Sequence, residues 1–215
     1  MMWPTLIVDN FFEDPNKIVK FSKTLKFSKA KDNSWPGTRT SPLHEIDHEF
    51  FIFTTKKILS ILYPMNVDNL KWRAVQSFQR SNKEYGEAGW VHSDTDSEIT
   101  VIIYLSDHAN SGTCLYEGKN FPVELKYDKE KQRFFKDLTD LKRMEKYRDQ
   151  SNSEFTKKVE LFSNFNRLVL FDSHHWHASR NAGSSKEDRL TLITFFKEVT
   201  GGGIKYPIPT MRRLQ

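Results

Sequence analysis

The sequence has a single cysteine, Cys114, in 215 residues. No internal disulfide can form, and neither a cysteine-based zinc site nor an iron–sulfur cluster can be built from this chain. Any metal must therefore rest on His, Asp and Glu. Long apolar runs are also missing. None approaches the ~18 to 20 residues that span a bilayer, and the N-terminal stretch MMWPTLIVDNFF lacks the charged start and small-residue cleavage site of a signal peptide. The expected compartment is the cytoplasm, with no membrane partner. Basic residues form no block either: 33 Lys and Arg are mixed with 28 Asp and Glu, so the net charge of +5 speaks only weakly for an anionic partner and against nucleic acid. What the chain does have is 37% apolar residues, 17 of all residues being Phe, and enough length for one domain to bury its own core.

The pattern divides into a helical front, a strand-rich middle, a charged insertion and a strand-rich end. WPTLIVDNFF reads as a short strand. DPNKIVKFSKTLKF follows as a helix with Asp14 as N-cap, Pro15 at the first helical position, and Ile18, Val19, Phe21 and Leu25 on one stripe. The stretch SKAKDNSWPGTRTSPL is a loop by its Pro, Gly and Ser content, and residues 47–62 form a buried helix stopped at Tyr63 and Pro64. Seven short β-type runs come next: WRAVQSFQR, GWVHSD, EITVIIYLS, GTCLYEG, KKVELFS, NRLVLFDSHHWHAS and DRLTLITFFKEV. They predict a sandwich or barrel of antiparallel strands. Residues 126–155 interrupt them with dense charge and sparse apolar positions, which predicts an amphipathic helical insertion, most simply a solvated surface arm.

Metal chemistry is suggested at two places. Side chains alternate across a strand, so His92 and Asp94 in GWVHSD project from one face and can chelate one ion through imidazole and carboxylate. A histidine from a distant strand would complete two His and one carboxylate, leaving three open positions on an octahedral metal, as non-haem Fe(II) oxygenases require. FDSHHWHAS offers His174, His175 and His177. Alternation puts His175 and His177 on one face and His174 on the other, which narrows the choice to two. Asp96 competes with Asp94, although TDS reads as a turn. Arg189 stands in an otherwise apolar run, LTLITFF, where a cation needs an anionic partner, either a structural carboxylate or a ligand.

With these motifs the sequence resembles the 2-oxoglutarate- and Fe(II)-dependent oxygenases, particularly the prolyl-hydroxylase-like branch. The resemblance covers residues 72–82, 89–118 and 157–199, and more loosely the N-terminal part. His92-Ser93-Asp94 matches the family's proximal His-x-Asp, and Trp176-His177-Ala178 matches its distal histidine, which selects His177 over His175. Arg189 stands where the family binds the far carboxylate of 2-oxoglutarate. Thr191, two positions on, is similar to a hydroxyl residue that binds the same carboxylate, and Tyr104 is a further contact through its phenol; both are also ordinary strand formers. WPGTRT resembles a loop near the active-site mouth in some of these proteins, with no role assigned to Arg39.

The resemblance implies a mainly β chain with flanking helices around a double-stranded β-helix core, a cupin-like jelly roll. Residues 1–215 would be one oxygenase domain: 1–70 an N-terminal strand and helices, 71–199 the core with insertion 126–155, and 200–215 a tail. It also implies Fe(II) and 2-oxoglutarate, with ascorbate as an additional reductant, and O2 as co-substrate. The expected reaction hydroxylates a protein side chain of prolyl type or a small metabolite, releasing succinate and carbon dioxide. Fold alone does not choose the substrate. The competing classes are a cupin-like metal protein that uses no 2-oxoglutarate, which would have no need of Arg189, and a non-catalytic binding module.

Overall fold

The structure is a computed structural model and describes residues 5–30, 35, 37–64, 67–81, 88–108, 110–120, 123, 127–136, 140–181 and 188–201. Its elements in chain order are β1 (Leu6–Val8), α1 (Pro15–Lys23), β2 (Thr38–Arg39), α2 (Leu43–Ile46), α3 (His48–Leu62), β3 (Leu70–Ser81), β4 (Ile99–Tyr104), β5 (Gly112–Gly118), α4 (Asp128–Lys136), α5 (Leu141–Asn152), β6 (Phe155–Phe162), β7 (Arg167–Asp172), β8 (Trp176–Arg180) and β9 (Arg189–Gly201). A six-stranded sheet has the order β1-β7-β4-β9-β3-β2, and a three-stranded sheet the order β6-β5-β8. Every pairing is antiparallel. This is the mainly β jelly roll with flanking helices that the sequence predicts.

Strand alternation sorts the large sheet into two faces. Ile99, Val101 and Ile103 of β4, Leu168 and Leu170 of β7, and Leu192 and Phe196 of β9 join Phe51, Ile58 and Leu59 of α3 in the main core. The opposite parity faces the small sheet: Tyr104, Val169 and Phe171 pack with Leu115 of β5 and Leu161 of β6. One end of that inner face is not apolar. There Ser77, Gln79, Thr100 and Arg189 line a cavity of about 510 Å³.

The N-terminal layer forms for local reasons. The Asp14 side chain accepts from the Lys17 amide at 3.2 Å with Pro15 at the start of α1, and Asp47 accepts from the Phe50 amide at 2.9 Å to open α3. Asn166, at φ 63°, ties this layer to the sheet. Its buried amide accepts from the Phe12 amide at 2.8 Å and donates to the Phe12 carbonyl at 2.7 Å.

Four expectations need correction. GWVHSD is not a strand but an extended segment held by isolated bridges, Ala88 to Arg180 and His92 to His177. NRLVLFDSHHWHAS is not one run: a turn at 173–175 separates β7 from β8 and carries the chain from the large sheet to the small one. The 126–155 insertion is no solvated arm. Phe134 and Phe135 of α4 and Met144 of α5 bury against Trp90, since their apolar positions, though sparse, fall on one side. GTRT also departs from a plain loop, because Thr38 and Arg39 pair with Arg80 and Gln79. The tail beyond residue 201 lies outside the described residues. Among the described residues, no helix is long and apolar enough to cross a membrane.

Asn166→Ala removes two buried hydrogen bonds and leaves the Phe12 backbone groups unpaired, at a cost of about 2 to 4 kcal/mol. Thermal denaturation should show a Tm lowered by roughly 5 to 15 °C; an unchanged Tm would contradict this role.

Candidate active site

The structure brings His92, Asp94 and His177 together: one ligand atom from each lies within 4.8 Å of the others. His177 sits on β8, where Leu115 of β5 is its register partner. His92 reaches it across the isolated bridge, its amide donating to the His177 carbonyl at 3.0 Å and the His177 amide donating back to the His92 carbonyl at 2.8 Å. The Asp94 amide donates to the Ser173 carbonyl at 2.8 Å, in the turn between β7 and β8. The same turn that breaks the predicted strand thus positions two of the three side chains.

Both imidazoles are oriented by backbone. His92 Nδ1 lies 2.9 Å from the Trp90 carbonyl oxygen and His177 Nδ1 lies 2.8 Å from that of His175. A carbonyl can only accept, so each Nδ1 carries the proton and each Nε2 is turned inward. There His177 Nε2 is 3.4 Å from Asp94 Oδ2, and His92 Nε2 is 3.9 Å from Asp94 Oδ1. Thr100 Oγ1 donates to Asp94 Oδ2 at 3.1 Å and also lies 2.8 Å from Ser173 Oγ. Burial alone would raise the Asp94 carboxyl, but its contacts with His177, His92 and the Thr100 hydroxyl outweigh it and hold the group well below the usual carboxylate range. Burial, then the charges of His177 and Lys131, pushes His92 down to about 3 against the pull of Asp94, so its ring is neutral at neutral pH. An ionised carboxylate facing two inward Nε2 atoms, each backed by a carbonyl, is the donor set of a divalent ion.

Arg189 lines the same cavity and is 8% exposed. Its Nη1 donates to Ser111 Oγ at 3.3 Å and to the Gly112 carbonyl at 3.1 Å, while its buried Nε has no partner. Among the described residues no carboxylate pairs with it. Burial lowers its pKa, with Tyr104 opposing. The other expected residues stand further back. Tyr104 is fully buried behind the wall, its hydroxyl 2.8 Å from that of Thr113, which lines the cavity. Thr191 is the register partner of Tyr104, is buried, and does not line the cavity. His174 is exposed, and His175 contributes its backbone carbonyl to His177. Asp96 pairs with Lys197.

Sequence reasoning missed Thr100 and Asn152, and gave no role to Arg39, which lines the same cavity. Thr100 had a signal, a polar residue of inner-face parity in the apolar strand ITVIIY. Asn152, at the end of α5, had none: its side chain donates to the Gly89 carbonyl at 2.9 Å and accepts from the Val91 amide at 2.9 Å. Arg148 adds a bond to the Ala88 carbonyl at 3.1 Å. The insertion therefore clamps the segment that carries His92.

The profile of the family described as "Family of unknown function (DUF6445)" matches residues 2–196. The chain belongs to that family. No curated protein matches it in sequence. Among solved structures, HygX from Streptomyces hygroscopicus with nickel and 2-oxoglutarate bound is similar at a TM-score of 0.61 and 15% identity, over 94% of this chain and 84% of that one. EvdO2 from Micromonospora carbonacea var. aurantiaca complexed with 2-oxoglutarate follows at 0.56 and 12%, over 95% and 91%. A Pseudomonas putida prolyl-4-hydroxylase gives 0.52 and 13%, over 89% and 91%. The fold of this DUF6445 protein is thus that of the 2-oxoglutarate- and Fe(II)-dependent oxygenases, prolyl hydroxylases among them, as the sequence resemblance implies.

A metal that binds only the folded protein at a hundredfold over its Kd stabilises it by about 2.7 kcal/mol. Ni(II) should therefore raise Tm by roughly 5 to 10 °C. His92→Ala, Asp94→Ala and His177→Ala should abolish the shift, His174→Ala should keep it, and Asn152→Ala should reduce it. A full shift in Asp94→Ala would rule this cluster out.

Proposed function

We propose that the protein is an Fe(II)- and 2-oxoglutarate-dependent oxygenase that hydroxylates a protein side chain of prolyl type or a small metabolite, with release of succinate and carbon dioxide. The observation that carries this is the buried Arg189, which has no carboxylate partner among the described residues, in the same cavity as the His92, Asp94 and His177 cluster. A buried cation left unpaired costs several kcal/mol, so the site is built for an anionic guest. A metal protein that used no 2-oxoglutarate would have no need of it, which favours the oxygenase over the cupin-like alternative.

His92 Nε2, an Asp94 carboxylate oxygen and His177 Nε2 would hold the ion. Arg189 takes the far carboxylate of 2-oxoglutarate, held in place by Ser111 and the Gly112 carbonyl. Gly112 has to be glycine at this spot, since a Cβ would lie 2.0 Å from the Leu161 carbonyl oxygen. Thr113 offers its hydroxyl at the wall with Tyr104 behind it, and Thr191 backs the wall beside Arg189. When bound, Fe(II) supplies the redox chemistry that couples O2 and 2-oxoglutarate decarboxylation to substrate hydroxylation. The protein contributes orientation and exclusion of water, the latter through Trp90, Phe135 and Met144, which line the cavity on the insertion side.

The test is O2-dependent conversion of 2-oxoglutarate to succinate with Fe(II) and ascorbate present. The wild type should turn over slowly without primary substrate, Asp94→Ala and His177→Ala should lose about a hundredfold or more, and Arg189→Gln should raise KM for 2-oxoglutarate at least about tenfold while keeping much of kcat. Equal succinate formation in Asp94→Ala, or none in the wild type, would refute the reading.

A further inference from the structure

We propose that Arg39 anchors an anionic group, a carboxylate or phosphate, on the primary substrate; this rests on the oxygenase reading above. Arg39 lies on the short edge strand β2, opposite Gln79 of β3. Gly37, at φ 78°, lets this strand approach β3 so closely that a Cβ there would lie 2.1 Å from the Arg80 carbonyl oxygen. From that edge the Arg39 side chain enters the cavity. Its Nε donates to Gln79 Oε1 at 3.1 Å, and its guanidinium lies 4.4 Å from the Trp35 ring centroid and 5.5 Å from that of Phe195. Neither Nη atom has a hydrogen-bond partner, and no carboxylate lies within ion-pair distance, among the described residues. Burial lowers its pKa to about 10, against the pull of Asp94, which still leaves it charged at neutral pH.

The charges lining the cavity show what this arginine is left to do. Its described carboxylates are Asp94 and Asp96. Asp96 pairs with Lys197, and Asp94 faces the two imidazoles. A divalent ion and Arg189 carry three positive charges, which the co-substrate dianion and Asp94 cancel. Among the described residues, Arg39 is then left as positive charge with no counter-ion once metal and 2-oxoglutarate are seated. A planar guanidinium stacked on an indole, with its Nε already spent, presents two Nη donors in the fork that fits a carboxylate or phosphate. Trp35 and Phe195 beside it provide apolar walls, so the substrate class is a molecule with an anionic group next to an apolar part.

The test titrates protein loaded anaerobically with Fe(II) and 2-oxoglutarate with phenylacetate, phenyl phosphate and the neutral phenylacetamide. Heat of binding gives affinity, and the visible iron-to-2-oxoglutarate charge-transfer band reports the loaded site. We expect one of the anions to bind at least about tenfold more tightly than the amide, the preferred anion telling carboxylate from phosphate. Arg39→Gln should lose about tenfold or more of that affinity and Arg39→Lys less, with affinity for Fe(II) and 2-oxoglutarate within about twofold of wild type. The inference is overturned if the amide binds as well as the anions, if Arg39→Gln binds them like wild type, if no anion binds while the band is present, or if the anions abolish the band by displacing 2-oxoglutarate. Weakened Fe(II) binding in Arg39→Gln would make the residue a support for Asp94 instead, which also overturns it. Absence of the band in wild type defeats the oxygenase reading itself, a result distinct from all of these.

Discussion

Two backbone hydrogen bonds between His92 and His177, one in each direction, are the constraint on which the site depends. They join a segment without regular strand pairing to β8, and through β8 to the small sheet. The side chains inherit that order: each Nδ1 faces a carbonyl two residues upstream, so both Nε2 atoms face Asp94. A jelly roll suits such a site because its strand ends converge on a rigid frame, while the connecting turns can carry ligands. Asp94 shows the same economy, with its amide on the turn that delivers His177 and its carboxylate held by Thr100 of β4.

The site's electrostatics follow from burial without full compensation. Asp94 is kept ionised and His92 neutral by their surroundings, the protonation states a metal ligand needs. Arg189 and Arg39 enter the same cavity without carboxylate partners among the described residues, so positive charge accumulates where two anions would be held. The insertion completes the enclosure. Its helices bury Trp90 between them and the site, and Asn152 and Arg148 fix the backbone on either side of that residue. The His92 segment and the cavity wall are thereby tied to the same two helices.

Much of this was legible in the sequence where local rules operate. Alternation in ITVIIY and in the run after Arg189 marks the core face, Asp14 and Pro15 mark the start of α1, and the His-x-Asp spacing marks one half of the cluster. The choice of His177 rested on resemblance, because alternation assumes a single strand where the chain in fact turns and changes sheets at 173–175. That turn carries no Gly or Pro, so its only local signal is the Asp172 side chain accepting from the His174 amide at 2.9 Å. The insertion misled for a different reason. Dense charge suggests solvent, yet Trp90, Phe134, Phe135 and Met144 are enough to dock it, since burial depends on which face the few apolar residues share. Asn152 acts through partners far away in sequence, and nothing nearby announces it, whereas WPGTRT marks the segment of Arg39 without giving that residue a role.

The central claim is that one ion sits among His92, Asp94 and His177 with 2-oxoglutarate reaching from it to Arg189. The most direct measurement is a crystal structure grown anaerobically with Fe(II) and 2-oxoglutarate, with anomalous scattering collected at the iron edge. We expect a single anomalous peak bonded to the two Nε2 atoms and an Asp94 oxygen, and the far carboxylate of 2-oxoglutarate on the Arg189 guanidinium. An iron peak bonded to His175 or placed elsewhere, or a 2-oxoglutarate carboxylate that leaves Arg189 unpaired, would contradict the account.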